Sequence, residues 1–371
     1  MDNLNILMIG GGIGGLTAAI ALRAKGHRVT VIERDPDWSV YGVGIIQQGN
    51  VIRAMADLGV IDDYLAAGVG FDYVAVHAPD GTMVAKVPSH RLVERYPANL
   101  GIGRRALHKV LGDRAIVAGA DVRLGITAER MDDEGTDVAV AFSDGTNARY
   151  DIVLGGDGLY SQTRALLFRD AAKPEYTGQA VWRYNLPRTA GMDALHVYNG
   201  RIGAGLVPIS EELMYIYLTT PEPGNPRYPT EGLAAAMREK LQSHAPAIRA
   251  LAQHIVDDEG VVYRPLETHM LEGAWHAGRI GLLGDAVHAT TPHLGQGAGM
   301  AIEDALVLAE ELTRQETPEA AFTAYRDRRF ERCRYIVETS LSICHGQIGR
   351  GPPVDNAVAT AEMFARTAQP I

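Results

Sequence analysis

The sequence predicts an α/β fold in which parallel strands end in glycine-rich turns at one edge of a sheet. Three stretches support this prediction, because in each an apolar run of buried-strand length leads directly into a glycine turn. These stretches are residues 5–15, 152–158 and 278–285. Ligands of open α/β sheets bind outside the carboxyl ends of the strands, so we expect the three turns to line one crevice.

The composition of the chain is that of a soluble globular protein with room for two domains, or for one large domain with an insertion. It has 371 residues, of which 46% are hydrophobic and 22% are charged. The net charge of −10 argues against nucleic acid or an anionic membrane as the main partner. No stretch has the length and apolar character of a membrane span, and the first residues do not resemble a signal peptide. We therefore expect a cytoplasmic protein.

The first of the three stretches has the spacing of a dinucleotide-binding fingerprint. Gly10, Gly12 and Gly15 fit the pattern G-x-G-x-x-G between a short strand and an apolar helix, and Glu33 ends the next strand. In this pattern the glycines allow a tight turn, a close approach of pyrophosphate and close packing of helix on strand. The helix N-terminus offers N–H groups to the phosphates, and the acid can accept hydrogen bonds from a ribose. A glycine-rich turn of an ordinary α/β domain stays open as the alternative.

The rest of the chain is predicted to contain a strand-rich insertion and C-terminal helices. Asp80–Gly81 and Asp144–Gly145 are typical of hairpin turns. Further strands are predicted at residues 180–186, 194–199, 203–208 and 213–219. A loop is predicted at 41–50, one amphipathic helix at 233–251, a long helical region at 318–346, and little regular structure after Gly349. Cys333 and Cys344 lie in that helical region, too far apart to form a disulfide.

Taken together, the motifs resemble those of the single-component FAD-dependent aromatic hydroxylases, the flavin monooxygenases related to p-hydroxybenzoate and salicylate hydroxylases. The matching residues are Gly10-x-Gly12-x-x-Gly15, then Gly156-Asp157-Gly158 with Ser161 and Arg164, then Gly284-Asp285-Ala286-x-His288 with Pro292-x-x-Gly295-x-Gly297. The resemblance extends from about Asn5 to about Gln347. It implies a Rossmann-like FAD-binding domain with an inserted β-rich substrate domain and C-terminal helices. The predicted boundaries are 1–72, 98–178 and 274–315 for the FAD-binding domain, 73–97 and 179–273 for the substrate domain, and 316–371 for the C-terminal helical region and tail.

The resemblance also implies which residues contact FAD. They are Gly12, Ile13 and Gly14 at the pyrophosphate, Glu33 and Arg34 at the adenosine ribose, Arg104 at the phosphates and ribityl chain, Ala128 at the adenine, Asp157 on the flavin side, Asp285 at the ribityl hydroxyls, and Gly295, Gly297, Ala298 and Gly299 at the flavin ring. The helix that begins near Gly297 would stabilise negative charge on reduced flavin. The family often has asparagine where Gly299 stands, so that contact must come from the backbone or be lost. His288 is expected to lock its loop by hydrogen bonding, and Arg164 to be either an ion-pair partner or a ligand contact.

The implied reaction is hydroxylation of a small aromatic or heteroaromatic compound, with NAD(P)H and dioxygen, through a flavin hydroperoxide. NAD(P)H would bind transiently at a surface groove, because the chain has no second fingerprint. The candidate catalytic residues are Pro292, His293, His196, Tyr217 and Arg183. His293 is the preferred candidate base, and Arg183 could pair with an acidic substrate. Pattern alone leaves open which strand face lines the pocket, and a structural arginine and a solvent-facing histidine remain the alternatives.

Two other functions stay open at this point. One is a flavin-dependent epoxidase, dehydrogenase or reductase that acts on a polyene, quinone or natural-product scaffold. The other is a protein that binds a nucleotide without catalysis. The sequence lacks the C-x-x-C of disulfide reductases and the W-x-W-x-I-P of flavin halogenases. It predicts no metal site, and a monomer or a homodimer is compatible with it.

Overall fold

The computed structural model describes residues 1–40, 42–168, 170–198, 200 and 202–371. Its strands are β1 Asn5–Ile9, β2 Arg28–Glu33, β3 Gly44–Gln47, β4 Gly68–Phe71, β5 Tyr73–His77, β6 Met83–Pro88, β7 Asn99–Gly103, β8 Asp121–Leu124, β9 Ala128–Asp133, β10 Val138–Phe142, β11 Asn147–Tyr150, β12 Ile152–Gly155, β13 Glu175–Pro187, β14 Leu195–Tyr198, β15 Gly203–Pro208, β16 Leu213–Pro221, β17 Val262–Thr268, β18 His276–Ala277 and β19 Ile280–Leu282. Its α-helices are α1 Ile13–Ala24, α2 Gly49–Asp57, α3 Ile61–Ala66, α4 Arg104–Val117, α5 Gln162–Leu167, α6 Leu233–Leu241, α7 Pro246–Ala250, α8 Asp285–His288, α9 Gly297–Arg314, α10 Pro318–Gln347 and α11 Asn356–Ala368. None of the helices in these described ranges has the length and apolar character needed to cross a membrane.

A six-stranded sheet carries all three glycine turns at the carboxyl ends of its strands. Its order is β18-β19-β12-β1-β2-β8, and all neighbouring strands except β18 and β19 are parallel. Both faces of this sheet are covered. In β1, Ile6 and Met8 pack with helices α1 and α9, whereas Leu7 and Ile9 pack against the antiparallel sheet β11-β10-β9. Burial on both faces explains the uninterrupted apolar run of β1, and the predicted α/β class is confirmed.

A second large sheet has seven strands in the order β17-β13-β16-β15-β14-β5-β6. One face packs on α6 and α7 through a large apolar cluster that includes Trp182, Met214 and Ile216. The other face carries Val207 and Tyr215, which contact Ile46 of the small sheet β3-β7-β4. The second face therefore looks toward the nucleotide-binding half of the chain. The Asp80–Gly81 and Asp144–Gly145 hairpins are confirmed by the antiparallel pairs β5–β6 and β10–β11.

Three predicted segments differ in the structure. Residues 44–47 form strand β3 inside the predicted loop 41–50, whose first residue, Tyr41, lies outside the described residues. A glycine is needed in that strand, because a Cβ at Gly44 would lie 2.2 Å from the Tyr215 ring. The predicted helix 233–251 is divided into α6 and α7, since Pro246 starts a new helix at its first position.

The third difference is at the C-terminus, where α11 replaces the expected irregular tail. Asp355 caps α11 by accepting hydrogen bonds from the backbone N–H groups of Ala357 and Val358. Backbone carbonyls at the end of the chain then accept hydrogen bonds from Arg53, Arg328 and Arg332. Elsewhere the predicted strand 194–199 corresponds to β14, and Asn199 lies outside the described residues.

Candidate active site

The first glycine turn has the geometry that a bound pyrophosphate requires. A Cβ at Gly15 would lie 2.0 Å from the Gly10 carbonyl oxygen, so only glycine permits this packing of α1 on β1. Around Gly12, by contrast, a Cβ would meet no atom within 4 Å. No side chain of the described residues caps the N-terminus of α1. The N–H groups of Ile13 and Gly14 at this uncapped end therefore suit a phosphate ligand.

Glu33 lies beside this turn at the end of β2, where a nucleotide ribose was predicted. Its carboxylate accepts hydrogen bonds from the backbone N–H groups of Gly11, at 2.9 Å, and Asp35, at 3.0 Å. Two residues that the sequence did not indicate also hold the turn. Trp38 Nε1 and His108 Nε2 donate to the Gly11 carbonyl oxygen, at 2.9 and 2.8 Å.

The two other adenosine-side residues are placed less specifically. Arg34 is exposed beside Glu33. The side chain of Ala128 is buried in the core between the two sheets, so only its backbone could face an adenine. Both contacts stay predictions.

The second glycine turn is held by its own acid. Asp157 accepts hydrogen bonds from the Ser161 hydroxyl and, at 2.9 Å, from the Thr163 N–H, and so orders the start of α5. Arg164 is buried and donates at 2.8 Å to the carbonyl oxygens of Leu159 and Ala286. Arg164 thus connects the second turn to the third through backbone carbonyls, a role that the sequence pattern did not separate from an ion pair.

The third glycine turn places Asp285 at the carboxyl edge of the six-stranded sheet. Gly284 has φ +63°, the left-handed region that favours glycine, and Asp285 begins α8 directly after it. The Asp285 side chain is exposed, yet desolvation by the surrounding protein raises its pKa. An exposed carboxyl group that is also desolvated is expected in a cleft, and this suits the predicted contact with ribityl hydroxyls.

The loop before α9 brings a second uncapped helix N-terminus to the cleft. No described side chain caps α9, whose first turn contains Gly297, Ala298 and Gly299. At the position where the family often has asparagine, a Cβ on Gly299 would lie 2.8 Å from Gln296 Oε1. The Gln296 amide, bonded to Asn50, fills the space that a side chain at 299 would need. Only the backbone of Gly299 can then face a ligand, and the flavin contact of Gly295 in the same loop stays a prediction.

His293 lies in this loop and is more enclosed than a solvent-facing histidine. Its Nε2 donates to Gln347 Oε1 at 3.1 Å, and its Nδ1 accepts from the Thr291 hydroxyl at 2.9 Å. Gln347 also accepts a hydrogen bond from Gln179 of β13. Burial lowers the pKa of His293 to about 4, so the ring is neutral at neutral pH. His293 and the adjacent Pro292, which starts a 3₁₀ turn, therefore shape the loop and join it to α10.

The seven-stranded sheet brings Arg183 and Tyr217 together on the face that looks toward the glycine turns. They are direct cross-strand partners in β13 and β16, and Tyr215 lies two residues away on the same face. Tyr215 and Tyr217 have ring centroids 6.2 Å apart. The registers of β14, β15 and β16 place His196 opposite Leu206 and Ile216, on the other face of the sheet. The structure therefore separates His196 from Arg183 and Tyr217, and we do not retain it in the site.

The electrostatics of this face centre on the partly buried Arg183. The Arg183 guanidinium makes no hydrogen bond or ion pair among the described residues, and burial together with the charge of Arg104 lowers its pKa to about 10. Desolvation raises the pKa of Tyr215 to about 12, and desolvation and Tyr215 raise the pKa of Tyr217 further. At neutral pH this part of the face thus presents the Arg183 guanidinium beside two protonated phenols.

Behind the third turn lies a network of buried charges. His288 Nε2 donates to Asp304 at 2.7 Å, as expected of a loop-locking histidine, and Arg329 Nε donates to Asp304 at 2.8 Å. His288, Asp304 and Cys333 place potential metal-ligand atoms within 4.8 Å of one another. The Arg329 guanidinium, however, contacts both Asp304 and Cys333. A metal cation would face this positive charge, so the cluster is better described as an ion-pair network.

Comparison with known proteins agrees with this geometry. Residues 3–340 match the family model described as FAD binding domain. The chain is 32% identical over 360 residues to the aurachin C monooxygenase/isomerase of Stigmatella aurantiaca, covering 94% of this chain and 90% of that one. It is 30% identical over 362 residues to the 6-hydroxynicotinate 3-monooxygenase of Pseudomonas fluorescens, covering 90% of both.

The fold is also that of a solved flavoprotein. The structure of Klebsiella pneumoniae HpxO complexed with FAD and uric acid superposes with a TM-score of 0.85 at 24% identity, covering 98% of this chain and 92% of that one. The family match covers most of the chain, and the sequence relatives are monooxygenases along almost their whole length. This chain belongs to the FAD-binding-domain family and, within it, to the FAD-dependent monooxygenases of the aromatic hydroxylase type.

Proposed function

We propose that this monooxygenase hydroxylates a small aromatic or heteroaromatic ring that carries a negative charge, with NAD(P)H as reductant and dioxygen as co-substrate. The observation that carries the proposal is the unpaired Arg183 guanidinium on the inner face of the seven-stranded sheet. Removing a cation from water costs several kcal/mol unless an anion compensates it, by an order-of-magnitude estimate. Because no described carboxylate does so, the substrate is the natural source of the counter-charge.

Arg183 would bind a carboxylate or an ionised ring oxygen, and the two tyrosines would orient the ring. A guanidinium can form two parallel hydrogen bonds to a carboxylate, which fixes orientation as well as position. Tyr215 and Tyr217 keep their protons at neutral pH, so each can donate to a ring oxygen or nitrogen. Arg104 adds positive charge near Arg183, which favours an anionic ligand further.

The cofactor contacts are part of the same proposal. We propose the N–H groups at the starts of α1 and α9 for the pyrophosphate and the flavin ring, with Glu33, Arg104, Asp157 and Asp285 along the rest of FAD. When bound, FAD supplies the activation of dioxygen, and the chain positions the ring against it and excludes water. His293 is unsuited to be the base in this arrangement, because its pKa is about 4 and both of its nitrogens are engaged.

The names of two of the three similar proteins described for this chain support an acidic ring. The Pseudomonas fluorescens relative is named for 6-hydroxynicotinate, a carboxylate, and the Klebsiella structure contains uric acid. The Stigmatella relative is named for aurachin C, so membership of the family does not by itself require a charged substrate. A flavin-dependent epoxidase, dehydrogenase or reductase fits these relatives less well than a hydroxylase. The proposal also includes three predictions made from the sequence. These are the domain boundaries, a cytoplasmic location and a monomeric or homodimeric state.

The test compares ring compounds that are matched in shape and differ in charge. FAD-loaded protein is assayed for NADH and NADPH oxidation with hydroxybenzoates and hydroxynicotinates, and with the corresponding carboxamides. We expect each acid to stimulate oxidation about tenfold or more over its amide, because a hydrogen bond to a charged group contributes about 1.5–3 kcal/mol. Labelled dioxygen must also appear in the product. Equal stimulation by acids and amides would refute the charged-ring proposal, and unlabelled product would refute oxygenation.

A further inference from the structure

We propose that Glu303 and Asp304, neighbours near the start of α9, are positioning residues that fix the third glycine turn and the loop at 292–297 relative to each other. This inference rests on the proposed binding of FAD by those two segments. Neither residue was indicated by the sequence motifs. Both side chains are at most 1% exposed, so neither can touch a ligand in the cleft.

Asp304 holds the glycine turn that carries Asp285. One carboxylate oxygen accepts from the backbone N–H of Gly284, at 3.0 Å, and from His288 Nε2, at 2.7 Å. Gly284 immediately precedes Asp285, and His288 follows it by three residues. The Asp285 backbone is therefore fixed from both sides by a single buried carboxylate.

Glu303 holds the other segment through side-chain amides. Its Oε1 accepts from Asn50 Nδ2 at 3.0 Å, and the same amide nitrogen donates to Gln296 Oε1 at 3.0 Å. Gln296 returns a hydrogen bond to Asn50 Oδ1, and Gln48 donates to the Leu294 carbonyl oxygen at 3.1 Å. This amide chain therefore fixes the residues that lead into the N-terminus of α9.

Arg329 of α10 joins the two arms. Its guanidinium donates to Asp304 at 2.8 Å through Nε and lies 2.7 Å from Glu303. The two acids are adjacent in sequence on one helix, so the two segments share one rigid support. Buried polar groups of this kind keep a site in place only when all of them are satisfied, so removing one charge should loosen the segment that it holds.

The test uses Asp304→Asn and Glu303→Gln in the full chain, with Glu310→Gln as the matched control. Glu310 lies on the same helix and pairs with Arg314 and Arg328, and no hydrogen bond between described residues connects it to either segment. Two quantities are measured: the FAD dissociation constant, and the free energy of unfolding of the FAD-free protein in urea. We expect about tenfold to 100-fold weaker FAD binding for both test variants, because each leaves buried donors unsatisfied. The control should bind FAD within about twofold of wild type.

A third readout separates positioning from general destabilisation. At saturating FAD, the visible circular dichroism of the flavin should differ from wild type in both test variants. In the control Glu310→Gln, the visible spectrum should be that of wild type. Lower stability of the FAD-free protein with unchanged FAD affinity and an unchanged spectrum would overturn the proposal. If Asp304→Asn does not fold, the same measurements are made on Asn50→Ala, which removes the hydrogen bond between Asn50 and Glu303. Wild-type protein that fails to bind FAD would instead refute the proposed function itself.

Discussion

Two arginines, the fully buried Arg329 and the partly buried Arg183, show opposite solutions to the same problem. Arg329 is fully buried and contacts two carboxylates, those of Glu303 and Asp304. Arg183 lies partly exposed on the inner face of the seven-stranded sheet, where the protein desolvates it, and it has no anionic partner among the residues described. Since an uncompensated cation destabilises a folded protein, the chain tolerates at Arg183 a cost that it avoids at Arg329.

The difference separates structural charge from functional charge. The paired arginine stands behind the glycine turns, where the fold must be rigid. The unpaired arginine stands where two protonated tyrosines also face the cleft. A charge that the protein leaves unsatisfied marks a place that a ligand can satisfy, and this is why Arg183 carries the proposed substrate assignment.

The largest effect is expected for Arg329→Met. Removing the guanidinium leaves two buried carboxylates without their shared partner, which should lower the free energy of unfolding by about 3–5 kcal/mol. Urea unfolding of the FAD-free protein measures it. Arg334→Met is the matched control, because Arg334 is on the same helix in a largely exposed pair with Glu331. A loss no larger than that of the control would show that Arg329 does not stabilise the fold through Glu303 and Asp304.

Arg183→Met should give the reverse pattern. The stability of the FAD-free protein should be unchanged or higher by about 1–2 kcal/mol, because a buried unpaired charge is replaced by an apolar side chain. With whichever acidic ring compound stimulates the wild type, kcat/KM should fall about 100-fold, equivalent to about 2.7 kcal/mol. FAD affinity should stay within about twofold. If stability fell as far as in Arg329→Met, the comparison between the two arginines would fail.

Tyr217→Phe sharpens the comparison at the same face. Tyr217 is the direct cross-strand neighbour of Arg183, and burial keeps its phenol protonated. Loss of one hydrogen bond to the substrate should reduce kcat/KM about tenfold, since such a bond contributes about 0.5–1.5 kcal/mol and more when one partner is charged. The variant should keep its preference for acids over amides, which depends on Arg183. If the variant lost its preference for acids over amides, Tyr217 and not Arg183 would be the residue that selects a charged substrate.

The sequence predicted the turns well because their function is local. Spacing alone located Gly10, Gly12 and Gly15, and the strand patterns placed Asp285 at a strand end. The pairing of Arg183 with Tyr217 depends on strand register between distant segments, so no local pattern could decide that these two share a face while His196 lies on the other. Strand β3 was missed because Gly44 made the segment look like a loop. The structure shows that glycine is needed there to make room for the Tyr215 ring, a contact between residues far apart in the chain.

The network of Glu303, Asp304 and Arg329 was missed for a related reason. Its members lie in two helices, α9 and α10. Charged residues in a helix are normally expected to face solvent, so the sequence does not show that these three are buried between the helices. The one available signal was His288, which the motif had already suggested as a loop-locking residue. A buried histidine needs a partner, and its partner in the structure is Asp304.

The smallest effect, and the finest test of the comparison, concerns two histidines five residues apart. Burial opposes protonation of His288, but interactions with Cys333 and Asp304 outweigh it and raise its pKa well above 6.5. Among the described residues His293 has no carboxylate partner, and burial lowers its pKa to about 4. The stability that His288 contributes is therefore complete below pH 6.5 and is lost as pH rises through its folded pKa. His293 has the opposite sign, because the unfolded state binds its proton first as pH falls from 6.5 toward 4.

Urea unfolding of wild type, His288→Gln and His293→Gln at pH 5 to 9 tests this directly. The stability advantage of wild type over His288→Gln should shrink with increasing pH above 6.5, with a slope of at most about 1.4 kcal/mol per pH unit. The advantage over His293→Gln should shrink with decreasing pH below 6.5. Parallel slopes for the two variants would show that Asp304 does not hold His288 in its charged form, and the distinction between paired and unpaired buried charge would lose its support in this loop.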